Sequence, residues 1–263
     1  MRRKLLSDVS DNHRVLVTAG ANGIGLAIAK VFLRSGAQVY VCDIDPDALE
    51  RASREHPDLR ACRADISSPS DVDELAQTIE GDLGGVDTII NNAGIGGPSK
   101  FVEELSDDDW AGVFAVNVTG TFNVVRRFVP RMKEQKKGSI INISTTSTRT
   151  GLPKRTPYVV SKFAVEGLTK NLARELGPFN IRCNTISPGS IENERGRMLM
   201  QKRAESHGVT YEEALQRRLS FISMRTKIDP TEIGEMALFL SSEGAKHVTG
   251  QCVSVCGNVE WED

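Results

Sequence analysis

The chain lacks an excess of charge of either sign. Its 33 Lys and Arg nearly balance 35 Asp and Glu, for a net charge of −2, so no bulk field draws it to nucleic acid or to an anionic membrane surface. No apolar run approaches the roughly 20 residues of a membrane span. The opening MRRKLLSDVSDNH is basic but has no apolar stretch behind it, which argues against a secretory signal and for a short flexible arm over residues 1–12. The five cysteines, at 42, 62, 183, 252 and 256, are odd in number and have no CxxC spacing. They read as reduced thiols of a cytoplasmic protein, not as a disulfide framework or a metal site. Long Gly/Ser/Pro linkers, internal repeats and low-complexity blocks are missing too, so residues 13–263 are expected to form one domain.

What is present is alternation. Short β-rich runs (RVLVTA 14–19, QVYVCD 38–43, a weaker DLRACRAD 58–65, VDTIINNAG 86–94, GSIINIS 138–144, IRCNTIS 181–187, GQCVSVCG 250–257) are separated by helical stretches at 23–36, 68–81, 106–132, 157–177 and 229–242. Strands alternating with helices of this length imply a parallel sheet covered on both faces, and right-handed crossovers make it a doubly wound, Rossmann-like α/β fold. Strand interiors such as Val15-Leu16-Val17 are apolar without alternation, as strands buried on both sides require.

Three local patterns suggest chemistry. The turn TAGANGIG (18–25) lies between the first strand and the first helix, where glycines let a pyrophosphate approach the backbone and the free N–H groups of the helix end. Asp43 ends the second strand, 18 residues after Gly25. A carboxylate there can accept hydrogen bonds from ribose hydroxyls and would repel a 2′-phosphate. With no Arg or Lys in the turn or directly after Asp43, NAD is expected over NADP. Finally, Tyr158 and Lys162 stand at i and i+4, on one helix face. An ammonium beside a phenol favours the phenolate, which suits an acid/base group.

In order along the chain, the glycine turn, ADI (64–66), NNAG (91–94), VNVTG (116–120), Tyr158-x-x-x-Lys162 and SPG (187–189) together resemble the classical short-chain dehydrogenase/reductase family, from about Arg14 to Gly257. The resemblance implies Tyr158 as acid/base, Lys162 as its partner and a ligand of the nicotinamide ribose, and Asn117 as the holder of a water between Lys162 and solvent. It implies a cofactor site of Gly20, Asn22, Gly23, Ile24, Gly25 and Asp43, with Asp65 and Ile66 at the adenine. Asn91, Asn92, Ala93 and Gly94 would line the cofactor, and Pro188, Gly189 and Ile191 would shape the nicotinamide pocket. It also implies a homotetramer and a small-molecule substrate.

The sequence departs from the family pattern in three places. The third catalytic hydroxyl, 13 residues before the tyrosine, falls on Thr145 where a Ser is usual, with Ser144 and Ser147 beside it. Ser144 is expected to point to the other face. Ala19 stands where the turn usually has Gly, and Asn193 where a Thr usually meets the nicotinamide amide. The segment 192–227 is the expected substrate lid. It holds eight bases against five acids, and Arg149, Lys154 and Arg155 precede the tyrosine. Arg195 and Arg149, with Ser147, are therefore candidate substrate contacts for a small, polar, anionic secondary alcohol such as a sugar acid, hydroxy acid or polyol. Two alternatives stand beside it: a 3-oxoacyl thioester reductase of the same family, and a catalytically silent NAD-binding sensor. The Trp261 tail could reach a neighbouring subunit.

Overall fold

The computed structural model describes residues 9–10 and 12–259, without side-chain placement at 195, 199 and 203. Seven parallel strands run in the order β3-β2-β1-β4-β5-β6-β7. They are β1 (Arg14–Thr18), β2 (Gln38–Asp43), β3 (Arg60–Arg63), β4 (Thr88–Asn91), β5 (Gly138–Ile143), β6 (Ile181–Pro188) and β7 (Cys252–Val255). The order reverses between β1 and β4, and in a doubly wound sheet that switch point opens a crevice beyond the strands' carboxyl ends.

Both faces of the sheet are covered, which accounts for the apolar strand interiors. Val15, Val17, Val39 and Val41 face α1 (Gly23–Arg34), α2 (Pro46–Glu55) and α10 (Pro230–Ser241), in a core completed by Ile28, Phe32 and Ile233. The intervening Leu16 and Tyr40 face α3 (Pro69–Leu83), α5 (Thr121–Gln135) and α7 (Thr156–Leu176), against Leu75, Phe128 and Leu176. The period of two survives in direction although both directions are apolar. Val9, inside the expected flexible arm, is buried in the first of these cores; the rest of the arm to residue 8 and the Trp261 tail lie outside the described residues.

The helix expected over 106–132 is not one helix. α4 (Asp107–Phe114) gives way to a π-helical segment, Ala115–Gly120, before α5 resumes. Segments of this kind widen the helix by one residue per turn and gather at functional sites; this one carries Asn117. The lid is helical as well. α8 (Glu194–His207) ends at left-handed Gly208, and α9 (Tyr211–Ser220) starts on a capping box of Thr210 and Glu213. A short α6 (Ser147–Thr150) follows β5. Asp45 caps α2 ahead of Pro46, as its position suggests.

Candidate active site

At the nucleotide end, β1 runs into the turn through Thr18. Its Oγ1 accepts the N–H groups of Asn92 and Ala93, each at 3.0 Å. The Asn92 amide returns two hydrogen bonds, to the carbonyls of Thr18 (3.0 Å) and Ala19 (3.1 Å). NNAG thus clips the glycine turn to the end of β4, a role the resemblance alone does not reveal. Ala19 holds the turn at φ +48°, a left-handed conformation that costs an L-residue roughly 1–2 kcal/mol. The turn is retained without its usual glycine, at the price of that strain. At Gly25 no side chain is possible, since a Cβ would lie 2.1 Å from the Ala19 carbonyl oxygen and 2.6 Å from the Asn92 amide nitrogen. Gly23 lies at φ +53° with open space where a Cβ would point. Asn22 caps α1, its Oδ1 accepting the Gly23 N–H at 2.7 Å, and Ile24 packs partly buried against the first core.

Asp43 lies against this turn, its Oδ2 accepting the Ala21 N–H at 3.3 Å and its Oδ1 the Asp45 N–H at 3.2 Å. Its in-register neighbour on β3 is the exposed Arg63. This cation belongs to a different strand, so inspection of the residues around Asp43 in sequence misses it. Asp65 uses one carboxylate oxygen to order a local turn, accepting from the Ser67 N–H (2.8 Å) and hydroxyl (2.7 Å). Ile66 is buried, its carbonyl accepting from the Asn123 amide at 3.1 Å. An open crevice rimmed by glycine backbone, a helix N-terminus and a carboxylate fits a dinucleotide diphosphate and its adenosine ribose.

The chemical end is built on α7. Lys162 is buried, and its Nζ donates to the Ile143 carbonyl at 2.7 Å. Burial pulls its pKa down from 10.5 to about 8. The ammonium lies 6.0 Å from the centre of the Tyr158 ring, and the tyrosine is half-buried. Asn117 reaches across from the π-helical segment. Its Oδ1 accepts the Ile95 N–H at 2.8 Å, and its Nδ2 donates to the Ile95 carbonyl (3.0 Å) and to Ser161 Oγ (2.9 Å). Ser161 in turn donates to the Tyr158 carbonyl at 2.7 Å. Gly94 lies between the two groups, since a Cβ there would stand 3.1 Å from Lys162 Nζ and 3.2 Å from Asn117 Oδ1. Ser161 was not singled out from sequence; its signal is its place one turn before Val165, inside the Tyr-x-x-x-Lys spacing.

The candidate third hydroxyl, Thr145, lies just past the end of β5. Thr145 is the second residue after β5, and its Oγ1 lies 3.3 Å from both the Ser147 hydroxyl and the Ser147 nitrogen. Ser144 turns the other way, donating to Glu166 Oε1 at 2.6 Å. Pro188 and Gly189 close the neighbouring strand end: the Pro188 carbonyl accepts the Thr146 N–H at 3.2 Å, and the Gly189 N–H bonds to Val255. Ile191 forms an isolated parallel bridge with Ile228.

Several expected anion contacts have protein partners instead. Arg197 and Lys227 both hold Glu192, at 2.7 and 2.8 Å. Arg155 donates to the carbonyls of Gly96 and Gly97. Lys154 stands over the Phe101 ring, 4.4 Å from its centre, and Arg225 caps the end of α9 through the carbonyls of Ser220 and Ile222. Arg149 is exposed but directs a nitrogen to Cys256 Sγ at 3.6 Å. Asn193 caps α8, its Oδ1 accepting the Gly196 N–H at 2.7 Å, so that oxygen is not turned toward a nicotinamide amide. The side chain of Arg195 lies outside the described residues. Among the described residues no group of three or more His, Cys, Asp or Glu could hold a metal, and no helix is long and apolar enough to cross a membrane.

Comparison with known proteins agrees with this fold. A family profile described as enoyl-(acyl carrier protein) reductase matches residues 18–258. The chain is 34% identical to a 3-oxoacyl-[acyl-carrier-protein] reductase of Thermotoga maritima, over 93% of this chain and 96% of the relative. It is 32% identical to a 2,3-dihydro-2,3-dihydroxybenzoate dehydrogenase of Bacillus subtilis, over 92% and 93%. Among solved structures, an actinorhodin polyketide ketoreductase with NADPH superposes with a TM-score of 0.90 at 31% identity, covering 94% of this chain and 97% of the other. An NAD+-bound xylitol dehydrogenase superposes with a TM-score of 0.88 at 29% identity, covering 94% and 99%.

Proposed function

The chain belongs to the short-chain dehydrogenase/reductase family, and from that premise we propose that it is an NAD-dependent oxidoreductase acting on a secondary alcohol or the corresponding ketone. The observation that carries the reading is the gathering of Tyr158, Lys162 and Asn117 at the carboxyl ends of β4 and β5, with Thr145 two residues past Ile143 and a glycine turn flanked by Asp43. The nicotinamide, when bound, supplies the hydride acceptor or donor. Everything else falls to the chain. Thr145 hydrogen-bonds the substrate oxygen and fixes its direction. Tyr158 takes the hydroxyl proton in oxidation and returns it in reduction. Lys162, held in place by the Ile143 carbonyl, favours the phenolate through its charge. Asn117 holds the Gly94–Ile95 backbone against Lys162 and shapes the space in which a water reaches the ammonium.

Asp43 supports NAD as the working cofactor. Related structures contain either cofactor, NADPH in the ketoreductase and NAD+ in the xylitol dehydrogenase, and Arg63 beside Asp43 would be the first cation a 2′-phosphate meets. For the substrate, a small polar alcohol of the polyol, sugar-acid or hydroxy-acid class is supported by the hydroxyl-rich floor at 144–148 and by the polyol and dihydrodiol dehydrogenases among its relatives. Exposed Arg149 is the described base nearest that floor in sequence. A second reading, reduction of 3-oxoacyl thioesters, draws on the exposed apolar side chains of Ile95, Leu152 and Met198 and on the acyl-carrier-protein reductase relative. The family relationship also supports a homotetramer and a cytoplasmic setting.

The test is NAD reduction followed at 340 nm with sugar acids, hydroxy acids, polyols and 3-hydroxyacyl thioesters, with NAD and NADP in parallel. Turnover of a polyol or hydroxy acid with NAD is expected. Turnover of the thioesters alone would select the second reading, and a preference for NADP would overturn the role given to Asp43.

A further inference from the structure

We infer that Glu166 is a positioning residue for the substrate-binding hydroxyl of Thr145, an inference that rests on the role proposed for Thr145. Glu166 continues the row begun by Tyr158 and Lys162, at i, i+4 and i+8 on α7. The two later members grip the end of β5 in sequence. Lys162 Nζ holds the Ile143 carbonyl at 2.7 Å. One turn on, Glu166 Oε1 accepts the Ser144 hydroxyl at 2.6 Å and the Thr148 hydroxyl at 2.9 Å. Those two residues bracket Thr145, so a single carboxylate oxygen ties down both ends of the segment carrying the hydroxyl.

The hydrogen bonds within the segment are consistent with an acceptor at 166. Each hydroxyl has one proton to donate. The Thr148 hydroxyl lies 2.9 Å from the Thr145 carbonyl as well as 2.9 Å from Glu166. The Thr145 carbonyl also accepts the Thr148 N–H at 3.3 Å, so it keeps a donor when the hydroxyl proton goes to the carboxylate. Ser144, Thr145 and Thr148 are all buried, so without Glu166 the hydroxyls of Ser144 and Thr148 would turn to other acceptors. For Thr148 the nearest is the Thr145 carbonyl itself. Backbone bonds Ser144 N–H to Ile186 and Thr146 N–H to Pro188 fix the strand side of the segment; Glu166 supplies the fixed point on the helix side. Hydrogen-bond placement of an oxygen within a few tenths of an ångström is what a catalytic hydroxyl demands of its surroundings.

The test is a double-mutant cycle on the panel alcohol that wild type turns over fastest. Glu166→Leu is expected to lower kcat about tenfold or more, with the NADH dissociation constant, read by fluorescence titration, within about twofold of wild type. Glu166→Gln keeps a carbonyl oxygen for both hydroxyls and is expected to hold kcat within about threefold. In a Thr145→Ala background, Glu166→Leu should cost no more than about twofold, because the group it positions is gone. An equal loss in both backgrounds, or no loss in wild type, overturns the inference. Full turnover by Thr145→Ala alone overturns the role of Thr145 and is a separate outcome. A crystal structure of Glu166→Leu with NADH applies even when no panel alcohol reacts. Displacement of Thr145 Oγ1 relative to Tyr158 is expected, and an unmoved Thr145 counts against the inference.

Discussion

The candidate catalytic floor and the proposed lid, 192–227, are held together in different ways. In the floor, Lys162, Asn117, Ser144, Thr145 and Thr148 are buried, and the polar groups bond to backbone or to each other across β4, β5 and α7. In the lid, α8 and α9 share a small core of Met200, Ala204 and Ala214 with Tyr211. Glu192 with Arg197 and Lys227 ties the two ends of the segment together, and it joins the body where Leu219 and Ile222 pack on Cys256 and Val259 and where Ser223 and Met224 bond to the Asn258 and Gly257 carbonyls. Hydrogen bonds in a buried site are strengthened by low dielectric and are costly to leave unmade. Exposed ion pairs are screened and contribute little. The buried floor is therefore held in one geometry, while the 192–227 segment can vary at little cost to the rest of the fold.

The comparison can be broken most severely in the floor. Tyr158→Phe removes the proton carrier and is expected to lower kcat by about 10²–10⁴-fold while NADH still binds in a fluorescence titration. Substantial residual turnover would mean that the proton travels by another group.

The amino-terminal end of the central strands, opposite the candidate site, offers the next largest effect, on stability. His13 is buried, with Nε2 2.8 Å from Thr88 Oγ1, and burial lowers its pKa from 6.5 to about 4. Because the folded value lies below the unfolded one, its contribution is whole above pH 6.5 and is lost as pH falls toward 4. The loss amounts to about 3 kcal/mol. Across that window the neighbouring Asp87 stays ionised. Burial raises its pKa, but hydrogen bonds from Arg14 more than offset this and hold it at about 2. Urea unfolding from pH 7 to pH 4.5 should show the decline in wild type and a flatter profile in His13→Asn.

Smaller effects separate the cofactor crevice from the lid. Asp43→Asn is expected to shift the NADP/NAD ratio of kcat/KM toward NADP by about tenfold, on the order of one charged hydrogen bond; adding Arg63→Ala should reverse part of the gain. Glu192→Gln weakens both of its ion pairs, to exposed Arg197 and to half-buried Lys227. It should raise KM about two- to fivefold with kcat and the melting temperature nearly unchanged. A fall in kcat as large as that of a floor variant would show that the lid helps place the reacting atoms. The smallest effect is expected at Ala19. Replacement by Gly relieves the left-handed strain but loosens the unfolded chain, for a net stabilisation under about 1 kcal/mol in the same urea experiment.

Much of this arrangement was legible in the chain. The doubly wound fold followed from strands alternating with helices and from apolar strand interiors, and the proposal of Thr145 from the family's spacing to Tyr158. Ser144 was expected on the other face and points to Glu166. What could not be read were relations between residues distant in sequence. Helical periodicity runs unbroken through 106–132, because a π-helical turn adds one residue without altering the apolar pattern enough to show. The basic lid looked like an anion trap because a charge count carries no partners; only in space does Glu192 meet Arg197 and Lys227. Arg63 lies 20 positions from Asp43 yet stands beside it on the next strand.

The sequence by itself determined the elements, their order and the chemical types available at each strand end, because these depend on local periodicity and on spacings within one turn or one strand. The tertiary structure decided which charges are neutralised, which hydroxyls face Glu166, and how Asn117 and Lys162 approach Gly94 from two elements. Those outcomes depend on burial and on contacts between strands and helices that only the packed sheet brings within hydrogen-bonding distance.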